Sequence, residues 1–326
     1  MRAVLCTEYG SHDKLVLGDL PDPVPGPGQV LIDVHAASLN FPDLLVIHGL
    51  YQYKPEPPFT PGAEAAGVVA AVGDGVNDCF VGQRVTSFGV IGAFAQKRVA
   101  DRSMVIAIPD EISFATAAAM TMAYGTSYHA LVQRGSLTSG ETLLVLGAAG
   151  GVGSAAIEIG KNLGATVIAA ASSDEKLAFC TSLGADHTIN YSTDDLRARV
   201  KELTGGTGAD VIYDPVGGDL SESAFRSIAW GGRYLVIGFA SGDVFKLPLN
   251  LPLLKGASAV GVFWGSFTAH EPETAAANFV EISRMVINGA LNPAITATFP
   301  LERVADAYEI LASRRAMGKL VLEISA

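Results

Sequence analysis

Four consecutive apolar residues, Leu143-Leu144-Val145-Leu146, run into Gly147-Ala148-Ala149-Gly150-Gly151-Val152-Gly153. Glycines at this spacing let backbone approach a ligand that side chains would hold off. A helix starting behind them offers unbonded N–H groups and the positive end of its dipole to a pyrophosphate. By itself the pattern describes any tight strand-to-helix turn, but its context narrows it. Ser154 to Leu163 reads as a helix, and Thr166-Val167-Ile168-Ala169-Ala170 as a second buried strand at βαβ spacing. That strand continues into Ala171-Ser172-Ser173. An NAD site usually sets an acid here, to accept hydrogen bonds from the ribose hydroxyls; Ala171 stands in that place. Serines would hydrogen-bond the extra phosphate of NADP, which an acid would repel. Lys176 is near enough to add a charge, although a solvated helix lysine reads the same way. Asp174 is the counter-evidence, and it reads as a helix-capping residue beside Ser173.

The elements that must position these groups fall into two patterns. Up to about residue 120 the chain shows short β segments between turns. Met1 to Cys6 reads as a short strand, too short and too soon polar for a signal peptide. Val30-Leu31-Ile32-Asp33-Val34-His35-Ala36 alternates as a strand after the loop Pro21 to Gly28. Asn40 to Gly49 reads as a short helix or turn, and Gly67 to Gly73 and Arg84 to Phe88 as further strands. Short strands with Gly and Pro punctuation predict a partly open barrel. From Ala115 to Leu131 a small-residue helical run follows. Then strands at 143–146, 166–170, 186–190, 210–214 and 233–237 alternate with helices at 154–163, 174–183, 194–203 and 219–229, which predicts a doubly wound parallel sheet. Ser258 to Trp264 is the expected sixth strand, and 271–288 an amphipathic helix. Ala294 to Phe299, Arg303 to Ala312 and Lys319 to Ile324 read as strand, helix and strand returning to the first domain. No internal repeat is evident.

The totals remove whole classes. With 326 residues, 49% hydrophobic and 17% charged, the chain has room for two cores and is not disordered. A net charge of −11 argues against nucleic-acid binding. Cys6, Cys79 and Cys180 form no CxxC and no disulfide framework, which suits a reducing cytoplasm. No apolar run reaches membrane-span length, so neither a membrane nor a nucleic acid is expected as partner. No tyrosine has a lysine four positions later, no GxSxG exists, and His270-Glu271 lacks the second histidine of a zinc-protease motif. His35, His48, His129, His187 and His270 are scattered and read as structural or solvated, with His129 near enough to the domain junction to touch a cofactor.

At this point the chain resembles the medium-chain dehydrogenase/reductase superfamily, and within it the zinc-independent quinone oxidoreductases, over nearly its whole length. The resemblance rests on Asn40-Phe41-Pro42-Asp43, Gly49-Leu50-Tyr51, Pro61-Gly62-Ala63-Glu64-Ala65-Ala66-Gly67, Gly147 to Gly153 and Gly318-Lys319. It implies an α/β protein: a GroES-like, partly open β-barrel catalytic domain (residues 1–124 and 265–326) split around a Rossmann domain (125–264) with a doubly wound parallel six-stranded sheet. It also implies an active site in the cleft and a homodimer or a multiple of one, joined through the Rossmann sheet edges. The zinc alcohol dehydrogenases of the same superfamily place a cysteine where Asn40 stands and a histidine where Ala63 stands. Neither Asn nor Ala replaces those ligands. The four-cysteine lobe is missing from Gly89 to Asp110 as well, so no metal is expected. Without a Lewis acid the expected reaction is reduction of acceptors that are already electrophilic: quinones, enones or enoyl thioesters.

The resemblance also implies roles. NADPH is the implied cofactor, its phosphate held by Lys176, by Tyr191 and by Arg314, with Arg315 able to substitute by a one-residue shift. Asn40, Thr126, Gly150, Gly151, Val152, Ser172, Gly238 and Phe239 complete the implied cofactor contacts. Phe263 and Trp264 match the segment whose backbone holds the nicotinamide amide, or pack the core. Asn40, Tyr51 and Asp43 are the implied catalytic group. One departure is Leu45, where the bacterial quinone reductases carry a second tyrosine. Tyr51 matches both these and the enoyl thioester reductases, in which that tyrosine donates a proton; it reads equally as an aromatic wall. A non-catalytic NADPH-binding redox sensor is the reading from another class.

Overall fold

The computed structural model describes residues 1–324, and the last two residues of the expected 265–326 segment lie outside the described residues. The chain divides into two compact units, one made of Met1–Met122 with the residues from Pro293 on, the other of Ala123–Asn292.

The first unit opens with strands β1 (Arg2–Leu5), β2 (Val16–Asp19) and β3 (Gln29–Ser38), followed by helix α1 (Phe41–Ile47). Strands β4 (Glu64–Val72), β5 (Arg84–Phe88), β6 (Lys97–Asp101) and β7 (Val105–Ala107) lead into helix α2 (Phe114–Tyr128), inside which the division falls. The second unit alternates β8 (Thr142–Leu146), α3 (Gly151–Asn162), β9 (Thr166–Ala171), α4 (Asp174–Ser182), β10 (His187–Asn190), α5 (Leu196–Leu203), β11 (Ala209–Asp214), α6 (Asp219–Arg226) and β12 (Ile228–Val236). It closes with α7 (Asn250–Lys255), β13 (Ser258–Gly261), α8 (Trp264–His270) and α9 (Pro272–Ile287). Then β14 (Ile295–Pro300), α10 (Val304–Ala312) and β15 (Lys319–Glu323) complete the first unit.

In the first unit the strands follow the order β14-β15-β3-β4-β5-β7, with β6 also paired to β3, while β1 and β2 pair with each other. This is the GroES-like, partly open barrel. Val30, Ile32 and Val34 of β3 and Leu320 and Leu322 of β15 enter its core beside Phe59, Phe94 and Tyr308. Segments over 280 residues apart in sequence thus share one core, because Ser38 pairs with Val321 across antiparallel β3 and β15.

In the second unit β10-β9-β8-β11-β12-β13 run parallel in a six-stranded sheet among the described residues. Leu143 to Leu146 are fully buried, as strands covered on both faces must be. The strand order reverses between β8 and β11, and the glycine-rich turn leaves β8 there. Ligands of doubly wound sheets bind at such a reversal, beyond the carboxyl ends of the strands.

Three boundaries differ from the sequence reading. The segment 265–292 stays with the second unit instead of returning at 265. Phe279, Ile282 and Met285 of α9 are buried, and Asn278 exchanges side-chain hydrogen bonds of 2.9 and 3.1 Å with Gln133. The sixth strand stops at Gly261 rather than Trp264. An indole gains more by burial than by extending an exposed edge strand, and Trp264 turns in over Gly125, where an added Cβ would meet its ring at 2.8 Å. The helix expected over 219–229 ends at Arg226 and β12 starts at Ile228, with a register shift against β11 where Gly231 takes φ 73°.

Candidate active site

The glycine turn has the shape a nucleotide needs. Gly150 precedes α3 in extended conformation, and a Cβ on Gly153 would meet Gly147 O at 2.6 Å and Ala148 Cα at 2.8 Å. The turn therefore folds back on its own strand so closely that only glycine fits, leaving the N–H groups of Gly151 and Val152 at the start of α3. Ser127 of α2 donates to Val152 O at 2.8 Å and shares a 2.8 Å hydrogen bond with the Tyr213 hydroxyl, which fastens α2 to the turn. Thr126, the expected cofactor contact, precedes Ser127 on α2 and is half-buried.

At the end of β9, Ala171 is buried and no acid follows it on the strand. Ser173 caps α4 by accepting from Lys176 N, which directs the first turn of α4 back over the strand end. There Lys176 Nζ donates to Ser172 Oγ at 3.2 Å, and Tyr191 N donates to Ala171 O at 3.1 Å. Ser172, Lys176 and the backbone of Tyr191 thus meet at the end of β9. Asp174 accepts from Asn190 Nδ2 at 2.8 Å and points its charge into that contact. A cation beside a hydroxyl at the end of β9 is a pair that can bond a phosphate.

Gly238 and Phe239 follow β12, and Asp214 organises the loops around them. Its Oδ1 accepts from Val216 N at 2.7 Å and Gly217 N at 2.9 Å, its Oδ2 from Ser221 Oγ at 2.7 Å and from the Tyr234 hydroxyl, and its carbonyl from Ile237 N at 2.9 Å. Phe263 is exposed at the start of α8, and Trp264 is buried beside Gly125. His129 stacks on Phe267 at 3.7 Å, and burial lowers its pKa, so its ring is held neutral in packing.

In the first unit Asn40, Asp43 and Tyr51 share one neighbourhood. Asn40 caps α1, its backbone N–H donating to Asp43 Oδ2 at 2.7 Å. Asp43, expected with the catalytic residues, is buried, and its Oδ1 has no hydrogen-bond partner among the described residues. Burial, then the Glu64 charge, pushes its pKa up to about 7 against the pull of the Asn40 N–H and Lys319. Its Oδ2 holds the Asn40 N–H at the start of α1, and its charge reaches Tyr51. Burial, with the Asp43 charge second, raises the Tyr51 phenol as well, so it stays protonated. The Asn40 carboxamide lies between two groups that sequence reading left without a role: Lys319 Nζ, 2.6 Å from Oδ1, and Glu64 Oε1, 2.7 Å from Nδ2. Arg314 also belongs to the first unit, in a turn after α10 with φ 57°, so of the expected phosphate ligands only Lys176 and Tyr191 share a unit.

A family model described as an alcohol dehydrogenase GroES-like domain matches residues 26–110, and one described as a zinc-binding dehydrogenase matches residues 151–281. The quinone oxidoreductase-like protein 2 homolog of Nematostella vectensis is 38% identical over 98% of this chain and 88% of its own. The chain belongs to the quinone oxidoreductase family of the medium-chain dehydrogenase/reductase superfamily. The Escherichia coli quinone oxidoreductase complexed with NADPH is 28% identical, has a TM-score of 0.93 and covers 99% of this chain and 100% of that one. CurK, an enoyl reductase, is 26% identical with a TM-score of 0.89, covering 99% of both chains.

As a quinone oxidoreductase family member the chain is an oxidoreductase. Among the described residues no helix is long and apolar enough to cross a membrane, and no three His, Cys, Asp or Glu side chains form a metal-binding group. Asp214 and Ser127 were missed in sequence because each acts on backbone of another element. A charge inside an apolar strand, as in Ala63-Glu64-Ala65-Ala66 or Gly318-Lys319-Leu320-Val321, was the one available signal for the Glu64–Lys319 pair.

Proposed function

We propose that this chain transfers hydride from NADPH to a quinone-type acceptor without a metal. The observation that carries the metal-free reading is the Lys319 ammonium 2.6 Å from Asn40 Oδ1. The position that holds a zinc thiolate in the alcohol dehydrogenases is here an amide engaged by a buried cation, which repels a second cation. NADPH as the cofactor is supported by Ser172, Lys176 and Tyr191 at the end of β9 and by the NADPH bound to the Escherichia coli relative. When bound, NADPH supplies the hydride; the chain's residues hold cofactor and acceptor in attack geometry and keep water away.

A second reading, reduction of an enone or enoyl thioester, is favoured by the protonated Tyr51 phenol and by the likeness to CurK. Leu45 in place of a second pocket tyrosine points the same way. The deciding experiment measures NADPH oxidation with benzoquinones, naphthoquinones, short enals and crotonyl or acryloyl thioesters, alongside elemental analysis. Quinone reduction by zinc-free protein is expected. Stoichiometric zinc with chelator-sensitive activity sinks the metal-free reading, and NADPH binding with no acceptor reduced favours the redox sensor.

A homodimer is part of the same proposal. Trp230, Leu249, Leu253 and Leu254 are exposed around α7, beside the outer strand β13, and the Trp230 indole stands over Gly256. Monodisperse monomer at micromolar concentration in sedimentation would count against it. The three cysteines are free and buried, which supports a cytoplasmic location.

A further inference from the structure

An asparagine carboxamide has two orientations that exchange its oxygen and nitrogen, and its shape prefers neither. Around Asn40 only one satisfies the neighbours. Lys319 can only donate and faces Oδ1 at 2.6 Å; the Glu64 carboxylate can only accept and faces Nδ2 at 2.7 Å. A flipped amide would set N–H against ammonium and carbonyl against carboxylate. The two charges are themselves bonded at 2.9 Å, with side chains 2% and 0% exposed. Neither has capacity to swing away. The ammonium's remaining proton goes to Leu39 O at 3.1 Å, and Glu64 also accepts from Ser38 Oγ at 2.5 Å and Met122 N at 2.7 Å. The other Nδ2 proton of Asn40 has a weak partner, Met122 Sδ at 3.7 Å. Asn40 is half-buried while Ser38, Glu64 and Lys319 are buried, so a ligand reaches this cluster through Asn40.

We propose that Lys319 and Glu64 are positioning residues that hold Asn40 as a hydrogen-bond donor to the carbonyl oxygen of the acceptor, its Nδ2–H leaving the Met122 sulfur for that oxygen. This rests on the reductase reading above. An ammonium bonded to the amide oxygen draws density from the nitrogen and strengthens its N–H as a donor. When a quinone or enone takes up a hydride, two electrons enter its conjugated system and charge settles on the carbonyl oxygen. NADPH is the species oxidised; the proton that completes the reduction goes from water to the oxygen of a quinone, or from an acid to the α-carbon of an enone. A donor fixed on that oxygen is bonded more strongly in the transition state than in the ground state. Without Lys319 the amide keeps only the Glu64 contact and loses the cation that strengthens its N–H, and much of that gain is lost.

The test is a double-mutant cycle on Lys319→Met and Asn40→Ala, read as kcat on the acceptor panel and as NADPH dissociation constant by fluorescence titration. Lys319→Met leaves Glu64 without its counter-charge, so Lys319→Met/Glu64→Gln replaces it in every arm if the single variant does not fold. Lys319→Met should lower kcat about 10- to 100-fold and move the NADPH dissociation constant by less than about twofold. In the Asn40→Ala background it should change kcat by less than about twofold. An equal loss in both backgrounds overturns the proposal, since Lys319 then acts without Asn40. A matching loss of NADPH affinity also overturns it, since Asn40 then faces the nicotinamide. If the parent enzyme reduces no acceptor, the reductase reading has failed and the neutron structure of the Lys319→Met/Glu64→Gln variant, which tells the amide nitrogen from its oxygen, decides. An Asn40 amide that exchanges the two or occupies both orientations supports the positioning role, and one that keeps the parent orientation overturns it.

Discussion

Lys176 Nζ donates to Ser172 Oγ across 3.2 Å, which lays a cation from the first turn of α4 back over the end of β9. The pair faces no acid on the strand, because Ala171 occupies the end of β9. Lys176→Ala should therefore weaken NADPH binding roughly 10- to 100-fold, the worth of one partly exposed ion pair to phosphate, and NADH binding hardly at all. Fluorescence titration with both cofactors checks this. Equal losses would mean that Lys176 does not read the phosphate.

Tyr51 separates the two acceptor classes. A quinone that has taken up hydride is a stable oxyanion that water can protonate, whereas the α-carbon of a reduced enoyl thioester needs a placed acid. Tyr51→Phe should spare quinone reduction and lower enone or enoyl thioester reduction about 100-fold, where that activity exists. Steady-state rates on both classes decide between roles. If both survive, the phenol is a wall, and if both fall together, it positions the acceptor.

Asp43 gives a pH signature in stability. Folded, its carboxyl holds a proton up to about pH 7, against an ordinary value of 3.8, with burial as the main cause. The folded state binds more protons in that window, so stability falls as pH rises from about 4 to 7 and is level above it. Asp43→Asn keeps an oxygen for the Asn40 N–H and removes the titration. Urea unfolding from pH 4 to 8 should show the variant without a loss on the order of a few kcal/mol that the parent shows. Parallel curves would mean that Asp43 titrates normally.

Glu158 of α3 ties down both ends of the second unit. It accepts from the hydroxyl of Tyr124, the second residue of the unit, and from Asn292 N at 3.1 Å, where the chain leaves it. Glu158→Ala removes the acceptor of the buried Tyr124 hydroxyl and of the exposed Asn292 N–H, and should cost about 1–3 kcal/mol in urea unfolding. A loss below about 0.5 kcal/mol would show that other acceptors replace it.

The candidate cofactor residues were legible because their signals are local. Leu143 to Leu146 and the glycines after them lie within a dozen residues, and so do Ala171, Ser172, Ser173 and Lys176. Strand burial, capping and close backbone approach act over one turn, so residue type and spacing nearly settle them. Local pattern also failed locally: Trp264 continues an apolar run, yet its ring leaves the strand for Gly125, a contact 139 positions away that no periodicity reports.

The candidate catalytic residues were legible only as a motif. Sequence placed Asn40, Glu64 and Lys319 in recognisable stretches, and the types were enough to argue against a zinc thiolate. It did not say that the three touch. Glu64 and Lys319 are 255 positions apart, and Asn40 and Lys319 are 279. Their contact depends on β15 returning to pair with β3 and β3 with β4, and strand pairing over that distance is set by the whole core. The same holds for Asp43, whose altered acidity comes from burial and from the nearby Glu64 charge. By itself the sequence determined the residue types on which the proposed binding and chemistry rest. Tertiary structure alone decided which way the Asn40 amide faces, because orientation and acidity are properties of neighbours that the chain brings together only when it folds.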